Sequence, residues 1–473
     1  MPANKKIHNQ DIAHAIFTSP EYAFTLLYVI EWKQFFLYKD GVYETIPQDG
    51  MHRIVHGYIT ANHDINITTN LLQDIVEQIA LNCPFKMDTV ETEFVALNDC
   101  LLSTKDFKYY PFDSKRVALY RIPVNSNAIG SSCERWEQFL KEVLVTPKGI
   151  HTPDLAILVQ DMFGFYLLPE LYPHATFFLV GNGANGKSVL LSVLSALIGN
   201  RYISSMSTQT LTTDKFSTAH LIGKKINICN EEESKYIRSD KFKALISGDL
   251  VMAERKYGDH FSFRPQTKYI FATNEMPSFE GLNYGLRRRM NIIPFYKQFK
   301  GKERDWDLTE KLMHELPGIL GWALIGAQRL QANKYEFSSA KLADRANEEF
   351  VRNMSSAIAF VKEHFVVDQF GAYQKNQLYA DYVFWCKEVG KKPLSRHNFS
   401  KDINSTLPDI REIQKKIDGV NIRCYAIRKM TDDEYAEYVR DYEGIDIEVS
   451  PDPPILFDPT PTTIDQYINE QTT

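Results

Sequence analysis

Residues 181–188 read Gly-Asn-Gly-Ala-Asn-Gly-Lys-Ser and fit the pattern G-x-x-x-x-G-K-[ST] at every fixed position. The flanks fit as well. Ala175 to Val180 is a short apolar run of β-forming residues, and Leu190, Leu191, Leu194, Leu197 and Ile198 then recur at helical spacing before a Gly199-Asn200 stop. The pattern predicts strand, glycine loop, helix, and therefore an α/β fold. Glycines let the backbone wrap a phosphate with its N–H groups turned inward, and the helix N-terminus adds partial positive charge. Gly181, Asn182, Gly183, Ala184, Asn185, Gly186, Lys187, Ser188 and Val189 are thus the candidate nucleotide-binding residues. Lys187 is expected to reach the β- and γ-phosphates and the Ser188 hydroxyl to ligate Mg²⁺, so ATP and Mg²⁺ are the expected cofactors. The loop does not say what the energy drives.

The rest of the chain bounds the answer. Its 473 residues are 44% hydrophobic and 24% charged, which is an ordinary globular composition and enough for two to four domains. No apolar run reaches transmembrane length and the N-terminus lacks a signal-peptide core, so no membrane contact is expected. Six scattered cysteines without a C-x-x-C pair point to reduced thiols in a cytoplasmic setting, not to disulfides or zinc. Charge is unevenly placed. Twelve acidic residues against the single Arg440 give residues 431–473 a charge of −11, so the net −6 of the chain leaves +5 on residues 1–430.

Four regions follow. Residues 1–150 read as mixed α/β, with helices expected over Leu71 to Leu81 and Glu134 to Val143, and strands between Val95 and Arg121. Residues 151–333 carry the strand–loop–helix pattern of a parallel α/β ATPase core, closing on a helix from Leu308 to Leu330 interrupted near Pro317-Gly318. Residues 345–430 hold helical stretches at Ser355 to Phe365 and Asn376 to Val389, and a third beginning at Ser395. A hairpin around Asp418-Gly419 completes the region. That is the plan of a winged helix, with Arg396, His397, Lys401, Lys415 and Lys416 as DNA-facing candidates. The competing reading is a helical packing domain with a solvated charged face. Residues 431–473 are acidic, becoming Pro-rich from Ser450 to Ile464, and read as a disordered or docking tail.

A phosphate loop needs an acid on a neighbouring strand to hold Mg²⁺ and polarise water. The strand-like run Lys225 to Cys229 ends in Asn230-Glu231-Glu232-Glu233, and Glu231 and Glu232 are the candidate pair. A third run, Thr267 to Thr273, ends in Asn274, whose amide can orient the water or sense the γ-phosphate. Arg288 and Arg289, ahead of Ile292-Ile293, are candidates to reach the γ-phosphate of a neighbouring subunit. Between them a hairpin is expected, with Arg255, Lys256, Tyr257 and His260 near its tip, where cations meet phosphates and a ring packs on nucleic acid.

The order of these elements resembles superfamily 3 helicases, and within them the phage/plasmid primase C-terminal and poxvirus primase-helicase branch. The resemblance rests on the phosphate loop, Gly223-Lys-x-x-Asn-Ile ending in acids, Ser247 to Asp249, Ala-Thr-Asn-x-x-Pro at Ala272 to Pro277, and Arg-Arg-x-x-x-Ile-Pro-Phe at Arg288 to Phe295. It extends more loosely over about residues 20–430, through Cys133 to Trp136, Gly164-Phe-Tyr, Glu315 to Ile319, Trp322-Ala-Leu, Leu378 to Tyr382 and Trp385-Cys386. It implies an AAA+-related core with a helicase-associated N-terminal domain and a C-terminal winged helix. It also implies a homo-hexameric ring, 3′→5′ movement on single-stranded DNA and unwinding of forked DNA. In that reading Lys187, Ser188, Glu231 and Asn274 take the phosphate, metal, water-activating and sensor roles. Arg288 or Arg289 acts in trans, and Lys256 grips DNA from the hairpin. Asn230 stands where relatives often have an acidic or small residue, which makes Glu232 the alternative Mg²⁺ partner. No apolar strand with an Asp-x-Asp pair precedes residue 150, so helicase without primase activity is expected, in the host cytoplasm if viral. A separate primase, polymerase or single-strand-binding protein is the kind of partner an acidic tail would take. The competing functions are a non-unwinding DNA-binding initiator or packaging ATPase and, more distantly, a small-molecule P-loop kinase.

Overall fold

A computed structural model describes residues 8–88, 92–169, 171–214, 216–233, 236–254, 260–280, 284–417 and 419–443. Its centre is a parallel sheet whose strands are β1 (Thr176–Val180), β2 (Ile203–Ser204), β3 (Ile226–Cys229), β4 (Lys268–Thr273) and β5 (Met290–Pro294). They lie side by side in the order β2-β3-β4-β1-β5. The inner strands are buried on both faces, as their unbroken apolar runs require. Phe177, Leu179, Ile228, Ile270 and Ile293 face one buried cluster with the helices Pro153–Leu167, Lys187–Ile198 and Leu316–Ala332. Phe178, Phe271 and Ile292 face the other, with the helix Ser239–Ser247 and residues as distant as Phe360, Trp385 and Tyr425.

The helices Pro153–Leu167 and Leu316–Ala332 touch backbone to backbone. A Cβ on Gly164 would sit 2.2 Å from the Ala327 nitrogen, and one on Gly326 would sit 2.1 Å from the Gln160 carbonyl oxygen. Beside this crossing, fully buried Asp161 pairs with Arg329 at 2.7 Å. The expected break in the helix after Leu308 falls at Glu315, between Leu308–His314 and Leu316–Ala332. Pro317 does not cause it, because a proline fits the first helical turn. Glu315 stands apart because its carboxylate accepts from the N–H groups of Arg135 and Trp136, at 3.0 and 2.8 Å, and so caps the helix Glu134–Val143.

Residues 1–150 contain two four-stranded sheets, one of them packed with the helices Asn9–Thr18, Gln48–Asn62 and Thr69–Asn82. A helix not expected from the sequence, Lys341–Met354, lies against β5 and spans position 345. Beyond it come helices Ser356–His364, Lys375–Glu388 and Arg396–Thr406, the last capped by Ser395, and the antiparallel pair Glu412–Ile417 and Val420–Tyr425. The start of the acidic segment differs from the disordered tail expected there, because Asp432–Glu443 is helical. Average composition hid its anchors: Tyr435 stacks on His364, Tyr438 meets Arg352, and Glu434 holds Arg428 at 2.7 Å. Residues 444–473, including the Pro-rich stretch, lie outside the described residues. All six cysteines are buried and free. No helix among the described residues is long and apolar enough to cross a membrane.

Candidate functional site

The glycine loop leaves β1 at its C-terminal end and enters the helix Lys187–Ile198. Two of its glycines are demanded by the chain itself. Gly186 caps the helix at φ 92°, where a Cβ would also press on Val143, and a Cβ on Gly181 would meet the Phe295 carbonyl oxygen at 2.3 Å. Ala184 is also left-handed, at φ 55°. The segment after β5 straps the loop, with Phe299 N–H donating to the Ala184 carbonyl at 2.8 Å and the Gln298 amide to that of Asn182 at 3.4 Å.

Inside the loop Lys187 is buried at 6% exposure, and its ammonium donates to the Gly181 carbonyl of the same loop. Burial alone pushes its pKa down, with no carboxylate contributing. Asn185 is 3% exposed and its Nδ2 is buried without a hydrogen-bond partner among the described residues. A buried cation held by a backbone carbonyl, and a buried amide donor with no acceptor among the described residues, suit an anion with several oxygens. Ser188 and Asn182 are exposed at the mouth, and Val189 is half-buried behind them.

The sheet brings two expected partners to the same edge. Thr273 pairs in register with Val180, so Asn274 follows β4 next to the loop. Glu231 follows β3, two strand spacings or ~10 Å from β1. The two glutamates differ. Glu231 is exposed, whereas Glu232 is 4% exposed and its Oε2 accepts from Thr208 N at 2.7 Å, at the start of the short helix Thr208–Thr213. Glu232 is also tied to β4, its N–H donating to Ala272 O at 2.8 Å and its carbonyl accepting from Thr273 Oγ1 at 2.9 Å. Its carboxylate is therefore committed to the fold, and Glu231 is the acid open to a ligand. Among the described residues no cluster of three or more His, Cys, Asp or Glu side chains could hold a metal by itself. Ser188 and Glu231 are the donors suited to Mg²⁺ bound with a nucleotide.

Arg288 and Arg289 lie elsewhere. They precede β5, whose first residue pairs with Thr176 at the start of β1, so the length of the strand, ~16 Å, separates them from the loop. Arg288 is exposed. Arg289 is half-buried, donates to the Gly285 carbonyl, and keeps a buried Nε without a partner among the described residues. Burial, then Arg288, pushes the Arg289 pKa down while Asp249 opposes. The hairpin forms as expected from Val251–Glu254 and His260–Phe263, with exposed His260 3.5 Å from Glu254. Arg255, Lys256 and Tyr257 lie outside the described residues.

The sequence did not reveal a cavity of about 520 Å³ beside the loop. Gly181, Asn182 and Asn274 line it on one side, Tyr296 and Gln298 on another, and Phe350 with Asn353 of the helix Lys341–Met354 close it. The helical spacing of Leu342, Ala346, Phe350 and Met354 was the available signal.

Comparison with known proteins adds names to this geometry. Residues 179–289, from the end of β1 to Arg289, match a family described as "Family of unknown function (DUF5906)". The chain is 32% identical over 296 residues to "Putative helicase L207/L206" of Acanthamoeba polyphaga mimivirus, covering 60% of this chain and 28% of that protein. It is 27% identical over 176 residues to "Putative helicase 121R" of Invertebrate iridescent virus 3, covering 31% and 19%. The chain thus spans less than a third of the length of either relative. Among solved structures, the apo C-terminal region of NrS-1 aligns over 89% of this chain and 100% of its own at 12% identity, with a TM-score of 0.45.

Proposed function

We propose that the chain is an ATP-driven DNA helicase of the superfamily 3 type, from a virus, phage or mobile element. The observation that carries this reading is the convergence at one sheet edge of buried Lys187, exposed Glu231 and Asn274, with the paired arginines at the opposite edge. The loop N–H groups and Lys187 would hold the β- and γ-phosphates, and the adjoining cavity would take the nucleoside. Mg²⁺, held by Ser188 and Glu231, would neutralise phosphate charge when bound. Glu231 would also orient and deprotonate the attacking water, and Asn274 would hold the γ-phosphate end in line.

Arg288 and Arg289 are too far from their own loop to act on it, so in this reading they act on the next chain's nucleotide. That requirement favours a closed ring of identical subunits, a hexamer in the type proposed. The order β2-β3-β4-β1-β5, with loop and acid on non-adjacent strands, supports an AAA+-related P-loop core. The basic hairpin would grip single-stranded DNA and couple turnover to 3′→5′ movement, and the three helices and hairpin of residues 356–425 would act as a winged helix. The viral relatives named as helicases support the same class.

The test is unwinding of forked, 3′-tailed and 5′-tailed substrates by wild type and Lys187→Ala. The reading requires ATP-dependent unwinding that the variant loses. Undiminished unwinding by Lys187→Ala would sink it.

A further inference from the structure

A second cavity lies away from the glycine loop. It has a volume of about 890 Å³ and lies at the opposite, N-terminal edge of the sheet, where Lys225 precedes β3 and Gln266 precedes β4. Its wall carries Lys105, Lys224, Lys225 and Arg264 against one acid, Glu93. These cations are unequally neutralised. Lys225 is buried and donates to the Leu168 carbonyl at the end of a helix, and Arg264 pairs with Glu31 at 3.1 Å. Lys224 donates only to a neutral acceptor, the Arg201 carbonyl at 2.7 Å, and its pKa is pushed down by burial and then by the Arg201 charge. Lys105 is exposed. With Glu93 on the wall and Glu31 on Arg264, the four cations still outnumber their carboxylates, and the net positive charge favours an anionic ligand.

Connectivity narrows the choice of anion. Arg264 directly follows the strand His260–Phe263, so one wall of the cavity is the base of the hairpin whose tip carries the expected DNA-gripping residues. That strand is four residues long, ~13 Å, a span of about two nucleotides of an extended single strand. Tyr335 lines the cavity and packs against the hydrophobic core, its ring meeting Tyr172 edge-on at 5.4 Å.

We propose that this cavity binds backbone phosphates of single-stranded DNA, as a second contact continuous with the hairpin and separate from the nucleotide site. The proposal rests on the helicase reading above. Lys105, Lys224 and Arg264, the last shared with Glu31, supply the phosphate contacts.

The experiment measures fluorescence anisotropy of a labelled oligo-dT across a salt series, with wild type, the triple variant Lys105→Gln/Lys224→Gln/Arg264→Gln, and Lys105→Gln alone. Thermal unfolding of each variant checks the fold, and the exposed Lys105 site keeps the test valid if the triple variant is unstable. The triple variant should bind at least about 10-fold more weakly at low salt. Its slope of log affinity against log salt should be shallower by about 2, and that of Lys105→Gln by about 0.7. ATP turnover without DNA should be unchanged. Wild-type affinity and slope in both variants would overturn the proposal alone. Absence of any oligonucleotide binding by wild type would remove the helicase reading and the proposal with it. A parallel titration with a fluorescent ATP analogue separates the two phosphate sources. One site per chain, lost in Lys187→Ala and kept in the triple variant, supports a DNA track, whereas a second site lost in the triple variant would make the cavity a nucleotide site and overturn it.

Discussion

The two edges of the central sheet both hold buried lysines, yet those lysines have opposite surroundings. At the N-terminal edge Lys268 is 1% exposed, donates to the Leu168 carbonyl at 2.6 Å and to that of Phe165, and lies 4.0 Å from the centre of the Phe165 ring. Lys225 beside it shares the Leu168 carbonyl. Both thus complete the C-terminus of the helix Pro153–Leu167, where the dipole favours cations. At the C-terminal edge Lys187 has a carbonyl of its own loop. One edge ties its buried charge to a helix end, and the other holds it within the glycine loop. Burial alone does not mark a functional lysine. What distinguishes Lys187 is that its carbonyl acceptor belongs to the glycine loop itself, whereas those of Lys225 and Lys268 belong to the end of a separate helix.

Substitutions can break this comparison, and the largest effect belongs to the loop. Lys187→Ala should lower ATP turnover by at least about 100-fold while leaving the thermal midpoint close to wild type, measured by phosphate release and calorimetry. The opposite profile is expected of Lys268→Met. It takes the ammonium away from the Phe165 carbonyl, leaves Lys225 as the partner of the Leu168 carbonyl, and should cost about 2 kcal/mol in denaturant unfolding, with turnover per folded molecule largely kept. The glutamates repeat the contrast on one strand end. Glu231→Gln should reduce kcat about 100-fold at unchanged stability, whereas Glu232→Ala should cost about 1 kcal/mol of stability through its lost bond to Thr208 N–H. Equal effects of the two on kcat would erase the distinction drawn between them.

The smallest effect concerns pH. Burial, reinforced by Arg289 and Arg288 and opposed by Asp249, holds the His174 pKa below its usual value. A histidine depressed in the folded state stabilises the fold above its unfolded pKa, and that contribution is lost as pH falls below about 6.5. Arg288→Gln removes one of the causes and should flatten this loss in a series of unfolding midpoints between pH 5 and 8.

Much of this contrast was legible in the chain. The strands β1, β3 and β4 show as apolar runs because both their faces are covered, and each ends where a polar residue begins, which places the loop, Glu231 and Asn274 on one edge. Ser395 announced its helix by cap chemistry. Other features were hidden for physical reasons. Spacing cannot distinguish Glu231 from Glu232, because the difference lies in a helix start 24 residues away. The position of Arg288 and Arg289 follows from the pairing of Met290 with Thr176, a register no local pattern carries. The lysines at 225 and 268 read as ordinary strand flanks, since their acceptors belong to the end of a helix 57 and 100 residues away respectively. The cavity beside the loop needed a helix, Lys341–Met354, that closes it from well outside the motif.

The central claim is that one site is built by two chains, and mixing inactive subunits tests it most directly. Lys187→Ala and Arg288→Ala/Arg289→Ala proteins, each inactive alone, are mixed, allowed to reassemble and assayed for ATP hydrolysis. The account predicts recovery toward about a quarter of wild-type activity, the share of interfaces in a random ring that join an intact loop to intact arginines. No recovery on mixing, with both variants folded and assembled, or full activity of the arginine variant alone, would contradict it.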